Sequence, residues 1–110
     1  MKTGYTFGLQ IIFMKDTLVI DFETKKSFAD VGGEANIREL GISVAGVYSY
    51  TRDQFFAFEE HELNKLEDLL KGTEHVIGFN IIHFDIPVLE PYLTSASFDT
   101  IALTDMFQDA

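Results

Sequence analysis

The sequence predicts a single α/β domain built on a mixed sheet of five strands with flanking helices, and three observations carry that prediction. Residues 17–22 form a branched apolar run, residues 39–58 alternate and then turn back as an aromatic run, and a leucine stripe at helical spacing leads straight into another apolar run. A hairpin makes the second and third strands antiparallel, and the strand-helix-strand crossover that follows makes the fourth parallel to the third. With 110 residues the chain has room for one core and not two.

Taken in order, residues 17–22 read Thr-Leu-Val-Ile-Asp-Phe, a continuous run expected to be buried on both faces near the middle of the sheet. Residues 24–36 turn polar around Gly32-Gly33 and read as a loop. Leu40, Ile42, Val44, Tyr48 and Tyr50 then alternate, with Gly46 completing the series, which predicts a long strand over residues 39–50. A turn at 51–54 returns the chain as a third strand over 55–58. From Glu59 the period changes: Leu63, Leu66, Leu69 and Leu70 share one stripe, and Lys71-Gly72 closes the helix. Residues 76–79 are a short strand. Pro87 fits only the first turn of a helix, so Asp85 is expected at the N-cap, and Pro91 ends that helix after little more than a turn. Residues 97–103 read as the fifth strand, and Thr104-Asp105 as the cap of a further helix.

Composition narrows the function. A 46% hydrophobic and 24% charged chain folds, which excludes disordered and fibrous classes. Eighteen acids against eight bases leave a net charge of -10, which repels phosphate backbones, so any nucleic acid has to be held locally. No cysteine is present, so there is neither a disulfide framework nor a thiolate zinc site, and a cytoplasmic address is expected. Residues 1–13 carry one base, Lys2, and Gly8 and Gln10 interrupt their apolar stretch. That pattern suits neither a signal peptide nor a membrane span, and is expected to be an N-terminal extension preceding a domain over residues 14–110.

Asp21 and Glu23 are one residue apart at the end of the most apolar strand, so both side chains lie on one face while Phe22 points the other way. Two ionised carboxylates side by side against an apolar sheet are costly unless a cation compensates. Oxygen-only donors favour Mg²⁺ or Mn²⁺ over zinc. The competing reading is a strand that has simply reached solvent. For Asp85 it is a plain helix cap.

A second element, Gly78-Phe79-Asn80-Ile81-Ile82-His83-Phe84-Asp85-Ile86-Pro87-Val88-Leu89, makes the pattern more specific. D-x-E on a first strand together with N-x-x-x-F-D at a later strand-to-helix junction resembles the first two motifs of the DEDD 3′-5′ exonucleases, which have a ribonuclease H-like fold. The stretch is similar to the proofreading domains of family B DNA polymerases and to YprB-type ribonuclease H-like nucleases. The resemblance implies that Asp21 bridges two metal ions, Glu23 binds the ion that activates water, and Asp85 holds the ion near the leaving oxygen. It also implies substrate contacts from Asn80, Phe22 and Thr24. The reaction would be hydrolysis of a single-stranded 3′ end, DNA ahead of RNA, beside a polymerase or helicase and away from membranes.

The family's third motif brings a fourth carboxylate, with Tyr or His four residues ahead of it, on a helix after the fifth strand. Asp99 and Asp105 are the acids available in that half of the chain, and neither has such a partner. The domain is therefore expected to lack its C-terminal helix and to hydrolyse poorly. An alternative function is a catalytically silent ribonuclease H-like module that binds nucleic acid or a protein, and a third is a phosphate-binding or signalling domain in which D-x-E is incidental. Lesser candidates are His83 beside Asp85, Lys25, Lys26 and Arg38 for phosphates, and Phe22, Phe28 or Phe84 as a wedge against a terminal base. His61 and His75 are assigned no chemistry.

Overall fold

The computed structural model describes residues 15–109, so the expected extension over residues 1–13 lies outside the described residues. Five strands, β1 (Asp16–Thr24), β2 (Ile42–Ser49), β3 (Gln54–Glu59), β4 (Thr73–Gly78) and β5 (Ala102–Asp105), form one sheet in the order β3-β2-β1-β4-β5. β2 runs antiparallel to β1 and β3, while β4 is parallel to β1 and β5. The chain is thus an α/β protein with a mixed sheet and flanking helices.

One face of the sheet carries the core. Leu18, Ile20 and Phe22 of β1 are buried together with Leu63, Leu66 and Leu70 of the helix Leu63–Lys71 and Ile86, Val88 and Leu89 of the helix Ile86–Leu89. The expectation that β1 is buried on both faces holds for that side only: Val19 is half-buried, and Asp21 and Glu23 are exposed. The strand is central, yet the leucine stripe covers a single face of it.

Three further expectations are corrected. The polar stretch after β1 contains a helical turn, α1 (Phe28–Val31), because Ser27 and Asp30 make a capping box: the Ser27 hydroxyl accepts from the Asp30 amide, and the Asp30 carboxylate from the Ser27 amide. The leucine-striped helix Leu63–Lys71 is therefore α2, and Ile86–Leu89 is α3. The second strand starts at Ile42 rather than 39, since Glu34–Glu39 is a 3₁₀ helix that delivers Leu40 into the core. The fifth strand covers Ala102–Asp105, not 97–103; Phe98 and Ile101 are buried through a turn, closed by the Ile101 N–H on the Phe98 carbonyl at 3.1 Å. Apolar content there reflects core packing rather than strand pairing.

Glu67 on α2 ties the irregular segment before β5 to the core. Although buried, its carboxylate accepts the N–H groups of Thr94, Ser95 and Ala96 at 2.7, 2.7 and 2.9 Å, and the Thr94 hydroxyl at 3.1 Å. The Ser95 and Ala96 amides above all hold its pKa down at about 2. The sign follows: this stabilisation is fully present above the ordinary carboxylate range and is lost as pH falls from 4.5 toward 2. Glu67→Gln, which offers one acceptor oxygen to several donors, is expected to lower the thermal midpoint at pH 7 by several degrees. It should also flatten the acid limb of the stability profile in thermal melts between pH 2 and 5. Among the described residues no helix is long and apolar enough to cross a membrane.

Candidate functional site

The period of two along β1 sends Asp21 and Glu23 to the face opposite the core, in register with Gly46 and Val44 of β2. The pairing slips between Glu23 and Thr24, a bulge at the end of β1. Beyond it Thr24 donates its hydroxyl to the Lys26 carbonyl at 2.9 Å and shapes the turn. Phe22, expected to touch substrate, has its ring in the core; what it presents to the site is its backbone N–H.

β4 ends at Gly78 beside this carboxylate pair, and the chain changes direction over two residues. A Cβ at Gly78 would collide with the Ile81 side chain and stand 3.0 Å from the Ile20 carbonyl, so only glycine lets this turn close against β1. Gly78→Ala is expected to cost about 1–3 kcal/mol in urea unfolding, because a backbone carbonyl cannot step aside. Asn80 then adopts a left-handed conformation, φ 58°, which asparagine tolerates better than most residues. Asn80 thereby shapes the strand-to-helix turn, and its backbone N–H donates to the Asp105 carboxylate at 2.7 Å.

After Asn80 comes a π-type turn, Ile81–Asp85, closed by the Ile86 amide on the Ile81 carbonyl. The extra residue in that turn changes what Asp85 does. It stands at the head of α3, with Pro87 in the first turn as expected, but its side chain makes no cap. It reaches back to β1 instead, where its carboxylate accepts the Phe22 amide at 3.1 Å across 63 residues of sequence. Asp85 therefore touches the backbone between Asp21 and Glu23.

Its electrostatics differ from a dipole-stabilised cap. Asp85 is 5% exposed, and burial pushes its pKa up to about 6 against the pull of the Phe22 amide, with the charges of Asp21 and Asp105 adding to the rise. A helix dipole at its positive end favours an ionised carboxylate, but α3 has four residues, too short to outweigh desolvation.

Asp105, one of the two acids available as the missing ligand, is buried at the end of β5. Its carboxylate accepts the amides of Asn80, Ile82 and Phe107 at 2.7, 3.0 and 3.0 Å, clamping the turn after β4 and starting α4 (Met106–Asp109). Sequence shows the capping role but not the clamp across strands. Asp99 is exposed, with its amide on the Ser97 hydroxyl.

The remaining candidates lie elsewhere or are otherwise engaged. Lys25 pairs with Glu60 at 2.9 Å and Arg38 with Glu90 at 3.0 Å, while Lys26, His61 and His83 are exposed. Phe28 and Phe84 pack edge-to-face at 6.0 Å against the core. His75 contacts the Thr104 hydroxyl at 2.7 Å between β4 and β5.

One end of the sheet thus carries Asp21 and Glu23 on β1, Asp105 at the end of β5 and Asp85 after the turn that follows β4, and the charges of Asp21 and Asp105 reach Asp85. Their donor chemistry is all oxygen, suited to a hard divalent ion. Among the described residues, however, no three His, Asp or Glu side chains stand close enough together to hold a metal ion. Asp85 faces the Phe22 amide, and Asp21 and Glu23 face solvent. In comparisons with known proteins, neither a family model nor a curated protein matches the chain.

Proposed function

We propose that the chain is a ribonuclease H-like domain of the DEDD class, a metal-dependent 3′-5′ exonuclease that hydrolyses phosphodiester bonds at nucleic-acid 3′ ends. The observation that supports this most is the reach of Asp85 to the Phe22 amide, which puts the acid of one motif against the backbone of the other. The sheet order β3-β2-β1-β4-β5 is compatible with that fold.

In this reading Asp21, Glu23 and Asp85 would hold Mg²⁺ or Mn²⁺ only by drawing closer together than they stand here. When bound, such ions lower the pKa of an attacking water and offset charge on the entering and leaving oxygens. The protein's own part is positioning. Asp21 and Glu23 are fixed by the pairing of β1 with β2, and Asp85 by the π turn and the Asp105 clamp. Ion binding also offsets a net charge of -10 where a phosphate has to approach.

A second reading, a catalytically silent module that binds nucleic acid or a protein, is favoured by the same hydrogen bond seen from the other side: Asp85 is already occupied by the Phe22 amide. Titrating Mn²⁺ while following thermal unfolding, alongside single strands labelled at either end, separates the two. The exonuclease reading expects stabilisation by mass action, about 2.7 kcal/mol at a hundredfold excess over Kd, and loss of 3′ label first. Stabilisation without release of label favours the silent module. A melting point indifferent to Mn²⁺ removes the metal site.

A further inference from the structure

The face of the sheet opposite the core, polar along most of its length, is crossed by one apolar row where water-facing sheet surfaces are ordinarily polar. In register across four strands it carries Ile77, Val19, Tyr48 and Phe55. Phe55 is 63% exposed, and just past the end of β4 Phe79 (62%) and Phe107 (56%) pair edge-to-face at 5.4 Å. Gly46 forms a floor: a Cβ there would stand 3.4 Å from the Phe55 ring, and its absence leaves a cleft of about 320 Å³ bounded by Val19, Asp21, Tyr48 and Phe55. An apolar row running across four strands and holding an exposed Phe ring marks an interaction site.

Its border has one sign of charge. Glu23, Val44 and Glu59 are in register across β1, β2 and β3, Asp21 lies two residues back on β1, and Tyr48 hydrogen-bonds Asp53. None of the paired positions on this face is Lys or Arg. We infer that the face docks a cationic amphipathic segment of another protein, with an apolar stripe on the Ile77-Val19-Tyr48-Phe55 row and Lys or Arg against Asp21, Glu23 and Glu59. Three interstrand spacings of about 4.8 Å make the row roughly 14 Å long, the length of about ten helical residues. A second copy of the chain is the poorer occupant, since it brings the same acidic border and another charge of -10 to the contact. The inference does not rest on the exonuclease reading, but it shares Asp21 and Glu23 with it, so a docked cationic segment and a metal ion would compete for those two carboxylates.

The test uses the full chain and a fluorescein-labelled amphipathic helix of Leu and Lys, fourteen residues long. Its scrambled isomer and a Leu/Glu counterpart serve as controls, all followed by anisotropy at low and high salt. The ordered Leu/Lys peptide is expected to bind more tightly than the scrambled one and to weaken with salt, and the Leu/Glu peptide not to bind. Phe55→Ser with Phe79→Ser should weaken binding about tenfold or more, and Glu59→Gln several-fold, with both proteins retaining the parent melting point. Equal binding of the scrambled peptide, or affinity indifferent to these substitutions, overturns the inference. So does a dimer in sedimentation that Phe55→Ser dissolves, or peptide binding that emerges only when Phe7→Ser and Leu9→Ser are introduced into the chain's own amino end.

Discussion

Asp21→Ala is expected to reduce Mn²⁺-dependent release of nucleotides from a 3′ end by at least about a hundredfold while leaving the fold intact. The two halves of that expectation rest on different facts. Asp21 is exposed on the face away from the core and opposite Gly46, so its carboxylate supports no packing that alanine would lose. Exposed substitutions of this kind usually change stability by less than about 0.5 kcal/mol. Its charge, however, is one of the causes that raise the pKa of Asp85, so removing it should bring the Asp85 titration down toward the ordinary carboxylate value. The assay is a 3′-labelled single strand with Mn²⁺; the titration is read by carboxyl-carbon NMR. Loss of activity with a lowered Asp85 pKa places Asp21 in the same electrostatic site. Equal activity in wild type and variant removes the catalytic role.

The parts of this site differ in how plainly the sequence displays them, and the difference follows the range of the interactions. β1, the β2-β3 hairpin and α2 declare themselves through local periodicity, because a period of two or a leucine stripe is repeated over several residues. So does the alternation that puts Asp21 and Glu23 on one face. Pro87 marks Asp85 as the head of a helix, yet the partner of its side chain is not legible, because a local reading assigns an N-cap Asp to its own helix. The π turn inserts a residue, and the hydrogen bond that results goes to Phe22, a partner no local pattern reveals. Asp105 divides the same way: its bond to Phe107 is a local cap, while its bonds to Asn80 and Ile82 join elements 23 to 25 residues apart. The short helix α1 is the opposite case, since Ser27 and Asp30 carry a capping signature that the surrounding polar composition conceals.

Asp85→Asn tests the same edge from the stability side, and here the expected sign is a gain. The folded chain holds this carboxyl at about 6 against an ordinary value of 3.8, chiefly by burial. Below about pH 4 the group is protonated in folded and unfolded chains alike and contributes nothing. Between about pH 4 and 6 the unfolded chain has released the proton while the folded chain retains it, so stability falls as pH rises, and above 6 the penalty is complete. A tenfold difference in proton affinity between the folded and unfolded chain is worth about 1.4 kcal/mol, and allowing for solvent screening leaves a penalty on the order of 1–2 kcal/mol. Asparagine has nearly the same shape, its carbonyl oxygen can still accept the Phe22 amide, and it has no charge to desolvate. Urea unfolding is therefore expected to find Asp85→Asn more stable than wild type by that amount at pH 7.5 and equal to it near pH 4. The same variant should lose the stabilisation by Mn²⁺ and most of the 3′ nuclease activity, since an amide oxygen is a weaker ligand for a hard cation than a carboxylate. That gain, once measured, would mean the chain carries a destabilising acid where a neutral isostere folds better, which points to a use for its charge. If Asp85→Asn is instead less stable at pH 7.5, the carboxylate belongs to the scaffold, and the Phe22 hydrogen bond is its whole purpose.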